Sequence, residues 1–348
     1  MNNRKRVAIA IITYNSAGKL PDCLASIVKQ DYPSELVDLI IVDNNSTDNS
    51  LELAAKSSIS ARIIRNSSNL GFAAANNQAC ELARELKDDY LALLNDDTIV
   101  DPAWLSRLIG LAESDAKIAA VQAKLLLWPE QDLINSYGNA LTFLGFGYCN
   151  GYRQKDKAGE PFEVPYPSGG AAVVKLSALA EIGLFDDKLF MYHEDVDLGW
   201  RLRLLGYKVM LEPRAVVYHK YSFAKAAYKY YYMERNRLVV ALKNFRWPTL
   251  LLFCPAFKLM ELGLGCYAVK NGWWREKLRG YGWVIRNWRY LAAERRKIQK
   301  LRRVGDREIL SLFSAAIKFQ DVDNPLLTKF VNPLMLGYFR LAKKIIFW

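Results

Sequence analysis

From Val7 to Leu94 the chain alternates short apolar runs with helical patterns, and this alternation constrains the fold more than any other feature. Val7 to Thr13, Leu39 to Val42, Arg62 to Arg65 and Tyr90 to Leu94 read as strands. Leu20 to Lys29, Ser50 to Lys56 and Phe72 to Leu86 carry apolar residues at helical spacing. Strands and helices in that order predict an α/β fold with a mostly parallel central sheet covered by helices on both faces. A chain of 348 residues, 51% hydrophobic, can bury one large core or a core plus an appendage. Arg4-Lys5-Arg6 ahead of Val7 to Ile12 imitates a signal peptide, but the apolar run stops at Thr13-Tyr14-Asn15 without a small-residue cleavage site. It is read as the first buried strand. Five cysteines, odd in number and without a C-x-x-C, indicate neither a disulfide framework nor a zinc site, and fit a reducing cytoplasm.

In such a sheet, ligands bind in the crevice beyond the carboxyl ends of the strands. Asp43 and the Asn95-Asp96-Asp97 run fall just past strand ends, on one edge. Acidic oxygen donors there suit a hard divalent cation on a phosphate. A second acidic group, His193-Glu194-Asp195-Val196-Asp197, suits a general base, and the pair suggests group transfer from a phosphorylated donor. Each feature also has a plainer reading. Leu198, Leu202 and Leu205 followed by Gly206 predict a helix over 194–205, and the helix dipole favours carboxylates in its first turn whatever they do. Asp97 could cap a helix entered through Pro102. Gly169 and Gly170, before the apolar Ala171 to Val174, either let a ligand approach the backbone or merely turn the chain. His219, at the end of the strand expected from Ala215 to Tyr218, could be a metal or phosphate contact or a structural histidine.

Thr13-Tyr14-Asn15, Asp43-Asn44-Asn45-Ser46-Thr47-Asp48, Asn69-Leu70-Gly71-Phe72 with Asn76-Asn77, Asn95-Asp96-Asp97, and Gly183-Leu184-Phe185-Asp186 followed by Glu194-Asp195-Val196-Asp197 occur in that order. Together they resemble the landmarks of family 2 glycosyltransferases, most closely the bacterial rhamnosyltransferase type, from about Val7 to Arg237. The resemblance implies the GT-A fold and inverting transfer from a nucleotide-diphospho-sugar. It implies that Asp43 accepts the imide N–H of a uracil or thymine, with Thr13 and Asn15 near the nucleotide and Asp96 near the ribose. Asn69, Gly71, Asn76, Gly169, Gly170 and Arg235 are expected on the donor side. Asp97, with His219, would hold Mg²⁺ or Mn²⁺ on the diphosphate. Asp195 would be the base, with Glu194 and Asp197 as its rivals. The first position of the metal motif is Asn95 rather than aspartate, which predicts modest cation affinity without the donor.

Competing classes fit less well. A methyltransferase wants a glycine-rich turn where Thr13-Tyr14-Asn15-Ser16 stands, and a sugar-phosphate nucleotidyltransferase wants a glycine-rich basic signature near the start. A non-catalytic, sugar-nucleotide- or membrane-binding member of the same fold remains the alternative. The resemblance does not cover the last third, so residues 1–245 are expected to form the catalytic domain and 246–348 a helical, basic and aromatic region. Between Lys270 and Arg303 twelve Lys or Arg oppose Glu276 and Glu294, a local excess of ten in a chain of net charge +12. Tryptophans and tyrosines interleave with them, a pattern suited to the headgroup layer of an anionic membrane. A helical subdomain with solvated arginines is the plainer reading. No nucleic-acid-binding module accompanies the charge, and nucleic acid is not expected as a partner. Lys258 and Glu261 interrupt the apolar stretch Trp247 to Val269, and Pro255 is expected to break it, arguing against a bilayer span. The expected setting is the cytoplasm, peripheral on the inner face of the cell membrane, with a UDP- or dTDP-sugar as donor and a glycan or lipid-linked acceptor for cell-surface polysaccharide.

Overall fold

The computed structural model describes residues 5–56, 60–221, 226–318 and 325–348; Arg4 of the basic opening lies outside them. The first half follows the alternation: β1 (Val7–Thr13), α1 (Leu20–Ile27), β2 (Val37–Asp43), α2 (Ser50–Ala55), β3 (Ala61–Arg65), α3 (Gly71–Glu85) and β4 (Tyr90–Asn95). Pairing of β1 with β2 and β4, and of β2 with β3, is parallel. Because helices cover both faces, these strands read as continuous apolar runs; Val7, Ile9 and Ile11 pack on one side, Ala8 and Ala10 on the other.

The chain continues through β5 (Thr98–Val100), α4 (Trp104–Ser114), β6 (Ile118–Leu127), β7 (Ile134–Ser136), β8 (Asn139–Leu141), β9 (Gly147–Cys149), β10 (Phe162–Glu163) and β11 (Ala171–Lys175). After α5 (Leu176–Ile182) and α6 (Glu194–Leu204) it returns as β12 (Lys208–His219). The sheet order is β10-β12-β6-β11-β4-β1-β2-β3, with β5 and β7 added at the sides. Here the sheet is more mixed than expected, since β11 inserts antiparallel between β4 and β6. Reversal of β11 matters for the site, because it brings the start of that strand, Gly169 and Gly170, to the edge where β1, β2 and β4 end.

Register fixes the rest of that edge. Thr13 pairs with Asp43 across β1 and β2, Ile12 with Asn95, Ala171 with Leu94, and His219 with Thr98. Asp43, Asn95 to Asp97, Gly169, Gly170 and His219 therefore converge on one crevice.

Six helices follow: α7 (Ala227–Asn244), α8 (Trp247–Lys270), α9 (Trp274–Arg286), α10 (Trp288–Leu301), α11 (Asp306–Ile309) and α12 (Asn332–Ile345). They share one apolar core with the first part of the chain, where Phe143 and Trp200 meet Phe245, Phe253, Phe313 and Phe339. Pro255 does not break α8, which runs through 24 residues. It removes one backbone donor, a local loss that packing against α12 outweighs, as the Tyr338 hydroxyl donates to the neighbouring Leu252 carbonyl. Among the described residues α8 is the one helix long and apolar enough to cross a membrane, and only 22% of its apolar window is buried.

Candidate active site

The nucleotide side is built from loops that bond to one another. Asn15, in a left-handed conformation (φ 54°), accepts from the Thr47 N–H at 2.8 Å, and its own N–H donates to Ser46 Oγ at 3.0 Å. The buried Asp43 carboxylate accepts from the Ser46 N–H at 3.2 and 3.3 Å. Thr13 is buried beside it. Asn44, which sequence reasoning left without a role, donates to the Gly71 carbonyl at 3.2 Å and accepts from Asn66 at 3.0 Å, tying the end of β2 to the start of α3. Asn69 accepts from the Gly71 N–H at 2.9 Å, and Asn76 donates to the Phe72 carbonyl at 2.9 Å. Asn69, Gly71 and Asn76 were expected on the donor; these contacts shape the entry to α3.

Asp97 and His219 meet as expected. His219 Nε2 lies 3.1 Å from Asp97 Oδ1, and His219 Nδ1 faces Asn135 Oδ1 at 2.9 Å. Nε2 is therefore the ring nitrogen turned to the carboxylate, with Nδ1 turned to the Asn135 amide. Lys19 supplies a positive charge, 3.1 Å from Asp97 Oδ2. Burial opposes ionisation of Asp97, but His219 and Lys19 together hold its carboxyl below the usual range. Carboxylate oxygen and imidazole nitrogen are both ligand types for a divalent ion such as Mn²⁺. Among the described residues no third His, Cys, Asp or Glu completes a metal cluster, so the protein offers a two-donor cradle. Asp97 does not cap the following helix, which has no side-chain cap; Asp101 shapes the turn before it, accepting from the Ala103 N–H at 3.0 Å. Asp96 lies deeper, and burial pushes its carboxyl up to about 6 against the pull of the Ser16 hydroxyl.

The three carboxylates of α6 separate cleanly. Asp197 is fully buried and ion-paired, to Arg201 at 2.9 Å and Lys243 at 3.1 Å, with Asn244 donating at 3.1 Å. Its burial is offset by Lys243 and Arg201, which keep it ionised with a lowered pKa. Glu194 is buried, its Oε2 has no hydrogen-bond partner, and burial beside Asp195 drives its pKa far up. Asp195 is half-buried and accepts from the Gly169 N–H at 3.3 Å and the Val196 N–H at 2.8 Å. Burial raises it to about 6, the two N–H groups holding it there. Of these three, only Asp195 is partly exposed with its pKa raised to about 6, the pairing of properties a general base needs.

Backbone contacts join the two carboxylate clusters. The Asn95 N–H donates to the Gly170 carbonyl at 3.0 Å while the adjacent Gly169 N–H donates to Asp195. A Cβ on Gly169 would stand 3.0 Å from the Phe72 ring, so absence of a side chain lets α3, β11 and α6 close together.

The loop before α6 is strained: Phe190, Tyr192 and His193 all have φ between 64° and 67°. Asn236 on α7 holds it, its amide donating to the carbonyls of Leu189, Met191 and Tyr192 at 2.7 to 2.9 Å. Arg235, expected beside the donor, is 4% exposed and works on the same loop. It donates to the Lys188 and Leu189 carbonyls at 2.7 and 2.9 Å and stacks over Trp283. On the other side, the Phe72 N–H donates to the Phe190 carbonyl at 2.7 Å, and a Cβ on Gly71 would come within 2.5 Å of Phe190. Gly71 is thus required by packing and by its φ of 81°. Nothing in the local sequence of either segment announces this brace.

Comparison with known proteins agrees with this geometry. The family model described as glycosyl transferase family 2 matches residues 8–183. An N-acetylglucosaminyl-diphospho-decaprenol L-rhamnosyltransferase of Mycobacterium tuberculosis is 27% identical over 235 residues, 61% of this chain and 75% of that protein. Among solved structures, GalNAc-T7 with UDP, GalNAc and Mn²⁺ superposes with a TM-score of 0.59 at 16% identity, over 73% of this chain and 50% of its own. S. aureus TarS in complex with UDP-GlcNAc gives 0.55 at 14% identity, over 97% of this chain and 90% of the other. The structural neighbours share the GT-A fold, and the matched family model spans the crevice from β1 through β11: this chain belongs to glycosyl transferase family 2.

Proposed function

We propose that the protein is an inverting, cation-assisted glycosyltransferase that moves a sugar, L-rhamnose being the leading candidate, from a UDP- or dTDP-sugar to a glycan or lipid-linked acceptor in cell-surface polysaccharide synthesis. The observation that carries the reading is the junction at Gly169 and Gly170. It sets Asp195, the one half-buried carboxylate of α6 with its pKa raised to about 6, beside the strand end that leads into Asp96 and Asp97. The similar mycobacterial rhamnosyltransferase, and neighbours solved with UDP or UDP-GlcNAc, support the donor class.

In this mechanism Asp43 accepts the imide N–H of the base, Thr13 and Asn15 lie alongside it, and Asp96 approaches the ribose. Asp97 and His219 would hold Mg²⁺ or Mn²⁺, and a cation bound there would neutralise charge on the departing diphosphate. Asp195 takes the proton from the acceptor hydroxyl as its oxygen bonds to the anomeric carbon and the bond to the diphosphate breaks on the opposite side. One base suffices for inversion. Burial beside Asp195 favours the protonated form of Glu194, which lessens the like charge at the side of Asp195. A lipid-linked acceptor places the reaction at the inner face of the cell membrane.

Thermal-shift measurements with UDP- and dTDP-sugars, with and without Mn²⁺, test the reading. A cognate donor at 100 times its Kd stabilises by about 2.7 kcal/mol. A shift with one nucleotide-sugar that grows with Mn²⁺ is expected; no shift with any uridine or thymidine donor would contradict the proposal.

A further inference from the structure

The basic run of residues 270–303 is not turned wholly outward. Several of its cations are turned inward: Lys277 bonds Glu234 and Glu261 at 2.8 Å, Arg295 donates to the Phe245 carbonyl at 2.6 Å, and Arg302 pairs with Asp306. Among the described residues a second surface is apolar and exposed. On α12 and the π-helical turn before it (Leu327–Val331), Met335, Phe339 and Ala342 face the core, while Phe330, Leu334, Leu341 and Ile345 face outward. Their spacing of four, seven and four residues is one helical stripe, and they are 67%, 58%, 61% and 49% exposed. On the neighbouring α8, Phe253, Ala256 and Met260 face the core and Leu251, Leu259, Leu262 and Val269 face outward, at 51% to 73% exposure. Phe143 packs on both Phe253 and Phe339, so the two helices lie side by side, with their outer faces exposed among the described residues.

We infer that the outer faces of α12 and α8 form a monolayer-docking surface that seats in the headgroup and acyl boundary of an anionic bilayer. The inference deepens the proposed function, resting on its membrane-linked acceptor, and names the surface. Charge selects this partner. Residues 325–348 contain Lys329, Arg340, Lys343 and Lys344 and no acidic residue. Arg340 and Lys344 are exposed beside the apolar stripe, the arrangement in which long cationic side chains reach phosphates while leucines enter the acyl layer. A second copy of the chain on the same face would set these cations against one another. Glu261, the one acid of α8, is withdrawn into its pairs with Arg237 and Lys277.

Sedimentation of the full chain with vesicles of neutral phosphatidylcholine, and of phosphatidylcholine with phosphatidylglycerol, tests this without any substrate. Vesicle binding and the donor-dependent thermal shift can therefore fail independently. The wild type is expected on anionic vesicles, with binding reduced but not abolished by salt. Leu334→Glu with Leu341→Glu, and separately Leu251→Glu with Leu262→Glu, should each weaken binding by at least about tenfold at unchanged melting temperature, because these leucines are exposed in the free protein. Lys297→Ala with Lys300→Ala, in the basic run, should bind as the wild type does. Wild type left in the supernatant would overturn the inference, as would undiminished binding of both leucine variants. Retention in the vesicles after alkaline carbonate washing would also overturn it, by showing a span rather than a seat.

Discussion

The two sides of the crevice are built by opposite means. On the proposed donor side, Asp43, Asp96, Asp97 and His219 stand at or just past the ends of strands, and sheet register brings them together. On the proposed acceptor side, Asp195 sits behind a left-handed loop held by Asn236 and Arg235, some forty residues later, and by the start of α3, more than a hundred residues earlier. A sheet edge positions side chains through backbone pairing it would make anyway, whereas the proposed base depends on a loop held largely by two distant side chains. Chemistry at the base should therefore be easier to damage from a distance than the donor site.

The largest effect tests the base itself. Asp195→Asn keeps the shape and both N–H contacts in reach but cannot take a proton, so turnover should fall about 10² to 10⁴-fold with donor affinity nearly intact. Stability should move the other way. A carboxyl whose pKa rises from 3.8 to about 6 on folding opposes folding increasingly as pH climbs through that interval. Removing the charge should therefore raise the melting temperature slightly at pH 7, while leaving it unchanged below about pH 4. Asp197→Asn should do the reverse. Removal of one partner from a buried pair costs about 3 kcal/mol, so denaturant unfolding should shift strongly, with turnover per folded molecule little changed.

Two smaller effects probe each side's support. Asn135→Ala frees the His219 ring, and Mn²⁺ affinity in the presence of donor, read by titration, should weaken about 10- to 100-fold. Asn236→Ala takes the amide donor from the Met191 and Tyr192 carbonyls and leaves the Leu189 carbonyl to Arg235, and turnover should drop about tenfold through misplacement of Asp195, with the donor Kd unchanged. Equal loss of donor affinity in Asn236→Ala would erase the distinction between the two sides.

The same contrast explains what was legible in the sequence. Strands buried on both faces announce themselves as apolar runs, and the acids that follow them mark the edge; β1 to β4 and the convergence of Asp43 with Asp97 needed nothing more. The antiparallel course of β11 was hidden because a five-residue apolar strand carries no sign of its direction. Asn135, Lys19 and Asn44 left no signal, since each is an ordinary polar residue made significant by a partner distant in sequence. Spacing alone left Glu194, Asp195 and Asp197 equivalent. They differ only through what tertiary structure sets against each: Lys243 and Arg201 against Asp197, burial without a partner for Oε2 against Glu194, the Gly169 N–H against Asp195. Pro255 misled for a related reason, as packing of α8 on α12 outweighs a single missing donor.

The most direct test of the account is the pH dependence of kcat/KM for the wild type and for Asp195→Asn, measured with the donor identified by thermal shift. Asp195 must be ionised to act, so wild-type activity should rise with pH along an acid limb centred near 6 and level off above it. The residual activity of Asp195→Asn should show no such limb. If the limb persists in Asp195→Asn and disappears in Asp96→Asn, whose carboxyl is also raised to about 6, the titrating group belongs to the donor side and the assignment of Asp195 as the base is contradicted.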